Sequence, residues 1–149
     1  MKIVRFIRRV SPSVDTGFPD YAFIIGEDNK FSYRTQKART TPNAFKPKTN
    51  EPWDKVYGCV ALGDYHGQVI QHDKYGKCIL IEEGKELPAI LPNVNHDNRS
   101  VVAEMFVHSG YSDTWPGSAA CITIRKCDWN VFIALFSIGE KVLIQIVGS

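Results

Sequence analysis

The chain has 149 residues, of which 44% are hydrophobic, 23% charged and 11% aromatic. That is one domain with enough apolar content for a single core, and it excludes a disordered, collagenous or coiled-coil protein. Lys and Arg number 18 against 16 Asp and Glu, a balance too even to argue for nucleic acid or an anionic membrane, so any basic site must be local.

Met1–Val10 reads as a first strand, with Arg5, Arg8 and Arg9 interleaved among apolar residues. It has neither the apolar centre nor the small-residue cleavage site of a signal peptide. Tyr21–Gly26, the turn Glu27–Lys30 and Phe31–Thr35 read as a hairpin, two pairable runs around a polar turn. From Gln36 to Pro52 the apolar signal gives way to Thr, Pro, Asn and Lys, as in a long surface loop. Val56–Leu62, Gln68–His72, Lys77–Glu82 and Val101–His108 are further predicted strands, rich in the residues that suit them. One helix is expected to start at Asp128 as its cap, bury Trp129, Phe132, Ile133 and Phe136 on one face, and end at Gly139. Val142–Val147 closes the chain as a strand. The sum is a mainly β domain over 1–149, a sandwich or half-closed barrel with one or two short helices. No run approaches the roughly 20 apolar residues of a membrane span.

Four cysteines, Cys59, Cys78, Cys121 and Cys127, are too few for a disulfide scaffold and are expected as thiols. The segment Phe106–Ile124 sets His108 at the end of one strand and Cys121 at the start of the next, with a loop containing Gly and Pro between them. Such a loop can bring an imidazole to a thiol and activate it as a nucleophile. Gly117, Ser118, Ala119 and Ala120 are small; they admit a substrate carbonyl, and their amides can line an oxyanion hole. The plainer alternative is a small core Cys and a satisfied strand-end His.

These residues resemble the L,D-transpeptidases of the YkuD type. His108-Ser109-Gly110 matches the family's His element, and Ser118-Ala119-Ala120-Cys121-Ile122 looks like its Ser/Thr-His-Gly-Cys element, with Ala119 and Ala120 where the family has His and Gly. Thr41–Phe45 and Pro92-Asn93-Val94 are weaker echoes, and the order from His108 through Asp128 to Val147 looks like that of compact phage- and secretion-associated members. The resemblance implies an L,D-transpeptidase-like fold. It implies Cys121 as nucleophile, His108 as general base and the Ser109 carbonyl as the group orienting the imidazole. Ser118, Ala119, Ala120, Gly110, Tyr111 and Trp115 are then expected at the substrate, although Tyr111 and Trp115 read equally well as lid residues. The implied substrate is a peptidoglycan stem peptide, transferred or hydrolysed through an acyl-enzyme, with no cofactor. The expected setting is a protein made in the cytoplasm and acting in the periplasm or wall after delivery by a secretion system or phage lysis. Its partners would then include an immunity protein or the delivery apparatus.

Other readings compete with this one. A non-catalytic wall-binding or structural module of the same fold would suit Ala119 and Ala120. Cys59, His66, His72 and Cys78 form C-x6-H-x5-H-x5-C, a ligand set zinc accepts at a spacing unlike compact zinc modules. A zinc hydrolase lacks H-E-x-x-H. Lys30, Arg34, Lys37, Arg39, Lys46 and Lys48 form a basic run that reads as a solvated loop or a carboxylate or phosphate contact. No nucleic-acid-binding signature accompanies it.

Overall fold

Alternation of apolar and polar residues builds most of the strands in the computed structural model, which describes residues 1–9, 17–42 and 57–149. In β1 (Lys2–Arg8), Val4 and Phe6 are fully buried while Ile3, Arg5 and Ile7 face the other side, the period of a half-buried strand. β2 (Asp20–Ile25) and β3 (Phe31–Arg39) form the expected hairpin. β3 runs past Thr35, so Gln36–Arg39 is strand rather than loop. Ala38 pairs with Asp20 on one side and Ile124 on the other. Arg39, expected in a solvated basic run, is fully buried and donates to the carbonyls of Gly17, Thr41 and Pro42. Asn43–Pro52, including Lys46 and Lys48, lies outside the described residues, as does Val56.

Val60 makes only an isolated bridge to Ala89, so no strand forms at Tyr57–Leu62. β4 (Gly63–His72) starts five residues before Gln68, and β5 (Gly76–Ile81) pairs with it across the Asp73–Tyr75 turn. The predicted strand Val101–His108 is divided. β6 (Leu87–Asn93) and β7 (Arg99–Val102) form a separate two-stranded sheet, and β8 (Phe106–Ser109) belongs to the main one. The break falls at Glu104, whose left-handed backbone (φ 52°) turns the chain, its amide held by Gly84 O at 3.0 Å. β9 (Ile122–Ile124), α1 (Lys126–Ile133) and β10 (Lys141–Gly148) complete the order.

The main sheet closes completely, correcting the sandwich or half-barrel expectation: β1-β10-β4-β5-β8-β9-β3-β2 is an eight-stranded barrel. Closure comes from two parallel pairs, β1 with β10 and β8 with β9, in an otherwise antiparallel sheet. An eight-stranded barrel is filled by its own side chains. Phe6, Ile24, Ile79, Ile81, Ile144 and Ile146 occupy the interior here. Gly67 leaves them room, since a Cβ there would come within 2.8 Å of Ile79. Among the described residues no helix is long and apolar enough to cross a membrane.

Candidate active site

Barrel register decides which side chains meet outside the core. Val107 pairs with Ile79 and Ile122 and points inward with them. The alternate residues Phe106 and His108 of β8, with Thr123 of β9, therefore face outward, and so do Cys78 of β5 and Cys121 just before β9. His108 is opposite Thr123, so Cys121, two residues earlier, is its diagonal neighbour. With strands about 4.8 Å apart and a rise of about 3.3 Å per residue, their Cα atoms stand roughly 8 Å apart.

Three segments rise around this patch of outer wall: the excursion Glu82–Met105 that carries β6 and β7, the loop Gly110–Ala120, and the Asp73–Tyr75 turn. Together they enclose a cleft of about 1090 Å³ lined by His108, Ser109, Cys121, Ser118, Ala119 and Ala120, among others. Tyr111 and Pro116–Gly117 form part of its wall, and Lys74, Lys85, Glu86 and Glu104 give it charges of both signs.

His108 is buried, and its Nδ1–H donates to the Ser109 carbonyl at 2.7 Å, the contact expected of Ser109. That bond fixes the tautomer and leaves Nε2 as the basic nitrogen. Burial, with the positive charge of Lys74 and neighbouring His72, holds the imidazole below the ordinary histidine range, so it is neutral at pH 7. Cys121 is half-buried, and its Sγ donates to the Glu104 carbonyl at 3.9 Å. Burial pushes its thiol up to about 11, against the smaller opposing effects of the Phe106 amide and Lys74. The two shifts together leave a neutral thiol and a neutral base facing the cleft at pH 7.

The loop is pinned rather than loose. Tyr111 N donates to Pro116 O, Ser112 N to Trp115 O, and Ser118 Oγ to Cys121 O at 2.8 Å. Gly117 takes a φ of 66°, and a Cβ there would meet Tyr111 at 2.7 Å. Asp113 Oδ1 accepts from Cys127 N at 2.8 Å, so the cap of α1 comes from this loop. Asp128, predicted as the cap, lies inside the first turn, where it accepts from Arg125 Nε and Thr35 Oγ1. The helix stops at Ile133 rather than Gly139. Phe136 is still buried, because turns of the tighter i to i+3 type carry the chain onward. Asp113→Ala is expected to cost about 1 kcal/mol, as lost caps do. Urea unfolding should show it as a lower midpoint at unchanged slope.

Of the residues assigned to substrate, Gly110 and Trp115 do not line the cleft. Gly110 packs against Phe18, where a Cβ would come within 2.5 Å, and Trp115 lies edge-on to Tyr111. Tyr75, Lys74 and Glu104 do line it, and sequence gave no sign of them because they sit in a turn and a strand break. The zinc arrangement does not form. Cys59 and Cys78 are buried, His66 pairs with Glu82 and His72 stacks on Tyr75. Among the described residues no three His, Cys, Asp or Glu are grouped to hold a metal. Comparison with family models, curated proteins and solved structures found no match to this chain.

Proposed function

We propose that the protein is a cysteine-dependent L,D-transpeptidase or L,D-carboxypeptidase acting on peptidoglycan stem peptides, in a fold of the L,D-transpeptidase type. The observation that carries this reading is the shared cleft: an anchored neutral imidazole, a thiol and a run of small residues face one space large enough for a peptide. In the first step His108 Nε2 takes the Cys121 proton as sulfur attacks the carbonyl carbon of the stem's diamino acid. The C–N bond to the terminal D-residue then breaks, and the imidazolium returns its proton to the departing amine, leaving a thioester. An acceptor amine completes transpeptidation, and water completes hydrolysis. A high thiol pKa fits a mechanism in which the proton moves only when a carbonyl arrives to take the developing charge. The backbone amides of Ala119–Cys121 are the candidate donors to that oxygen. The cleft's lysines and glutamates suit a substrate with free carboxylates and an amine. Delivery as an antibacterial effector or phage component, with an immunity protein as the matching partner, is part of the same proposal.

A non-catalytic wall-binding module is the second reading, favoured by the protonated thiol and by Ala119 and Ala120. Purified tetrapeptide stem, with and without a free D-amino acid, separates the two by mass spectrometry. The enzyme is expected to remove or exchange the terminal residue and to show a mass increase on Cys121. Binding of peptidoglycan with neither event, across several stem types, would leave the module reading in its place.

A further inference from the structure

Tyr75, in the turn between β4 and β5, lies flat against the imidazole of His108: the ring centroids are 4.1 Å apart and the planes 7° from parallel. The turn is built to hold it there. His72 Nδ1 accepts from the amides of both Lys74 and Tyr75, at 3.1 and 3.3 Å, and the His72 ring is itself stacked with Tyr75. Phe106, on the same outer face as His108, meets both turn rings, at 4.9 Å from His72 and 5.4 Å from Tyr75. Packing rather than chance contact therefore sets the Tyr75 ring.

The Nδ1 bond to Ser109 leaves the imidazole free to swing about that anchor; a parallel ring removes this freedom. We propose that Tyr75 is the positioning residue of His108, fixing the plane of the imidazole and shielding one of its faces from water so that Nε2 is directed into the cleft. The role rests on the reading of His108 as the base. The groups around the imidazole are His72 at the end of β4, Lys74 and Tyr75 in the turn, Cys78 beside it on β5 and Cys121 ahead of β9. Burial opposes its protonation, as do Lys74 and His72, and the Tyr75 ring lies flat over one face of the imidazole.

Three variants test the role: Tyr75→Ala, Tyr75→Phe and Tyr75→Leu, read by NMR titration of the His108 imidazole and by kcat and KM on stem peptide across pH. Tyr75→Ala is expected to raise the His108 midpoint toward the ordinary histidine value and move the acid limb of kcat/KM with it. Its kcat should fall roughly tenfold to a hundredfold, as for a misplaced catalytic group, with a smaller change in KM. Tyr75→Phe keeps the flat ring and should keep the wild-type midpoint. Tyr75→Leu keeps apolar bulk without a flat face and covers the case in which the alanine variant does not fold. It should lose kcat as alanine does, with a midpoint between alanine and wild type. An unchanged His108 midpoint in folded Tyr75→Ala, wild-type behaviour in Tyr75→Leu, or a phenylalanine variant that behaves like alanine would each overturn the role. If wild-type protein acts on no stem peptide, the enzyme reading fails, while the NMR titration still decides whether Tyr75 sets the state of His108.

Discussion

Cys121→Ala should abolish cleavage and exchange of the stem peptide, by roughly 10⁴-fold or more, because it removes the sulfur proposed to form the acyl bond. His108→Ala should behave differently. With the base gone, only the spontaneously ionised thiol attacks, and burial holds that thiol near 11. At pH 7 the residual rate is then about 10⁻⁴ of that available to the full thiolate, since each pH unit below the pKa is a factor of ten. It should climb about tenfold per pH unit until it approaches that pKa. Wild type should instead lose activity as pH falls through the depressed His108 pKa, below the ordinary value of 6.5, and hold a plateau above it. A stem-peptide assay across pH 5 to 10 with all three proteins checks both limbs. A Cys121→Ala enzyme with measurable turnover would remove the thiol from the mechanism.

The same two groups contribute to the pH dependence of stability. His108 has a lower pKa folded than unfolded, so the unfolded chain binds more protons in acid, and this part of the stability is present above about pH 6.5 and lost as pH falls. Cys121 has the raised pKa. Its contribution is complete below the unfolded thiol value and lost as pH rises toward 11.

Sequence pointed to the candidate pair but not to the electrostatics of its surroundings. His108 and Cys121 were legible because small residues, a Gly- and Pro-containing loop and two short apolar runs are all local signals. Their shared outward face depends on the parallel register of β8 and β9, which local pattern does not encode. Burial pushes the Cys121 thiol up rather than down, and the end of the excursion Glu82–Met105 was read as part of one strand, Val101–His108. Glu104, where the run breaks, takes a left-handed backbone without the Gly or Asn that normally announces one. Arg39 misled in the opposite way: a charged residue in a polar stretch reads as solvated, yet three backbone carbonyls bury it. Barrel closure was out of reach for a related reason, since it joins β1 to β10, the two ends of the chain.

Asp20→Ala is expected to be the most damaging single change away from the cleft. Asp20 and Arg8 stand at inward positions at one end of the barrel, beyond Ala22 and Phe6, and both are buried. Thr40 joins them: its Oγ1 accepts from Arg8 Nε at 2.9 Å and donates to Asp20 Oδ2 at 2.8 Å. The Thr40 amide also donates to Asp20 Oδ2, the Arg9 amide donates to Oδ1, and Arg8 Nη2 donates to the carbonyls of Thr40 and Val60. The plug ties β1, β2, the end of β3 and the segment leading to β4 together at one end of the barrel. Removing Asp20 strips the acceptor from three donors and leaves the Arg8 guanidinium buried without the carboxylate at the other end of the Thr40 relay. Breaking a buried charged network of this kind costs about 3–5 kcal/mol, a large part of the roughly 5–15 kcal/mol that holds a domain folded. For a chain of this size that is a fall of roughly 10–15 °C in Tm. Thr40→Val removes only the hydroxyl, keeps the amide bond to Asp20, and should cost about 1–3 kcal/mol. Because both changes cut the same relay, the double variant should be less destabilised than the sum of the two. Urea unfolding of the four proteins measures the coupling, and strict additivity would show that Asp20 and Arg8 are held independently rather than through Thr40.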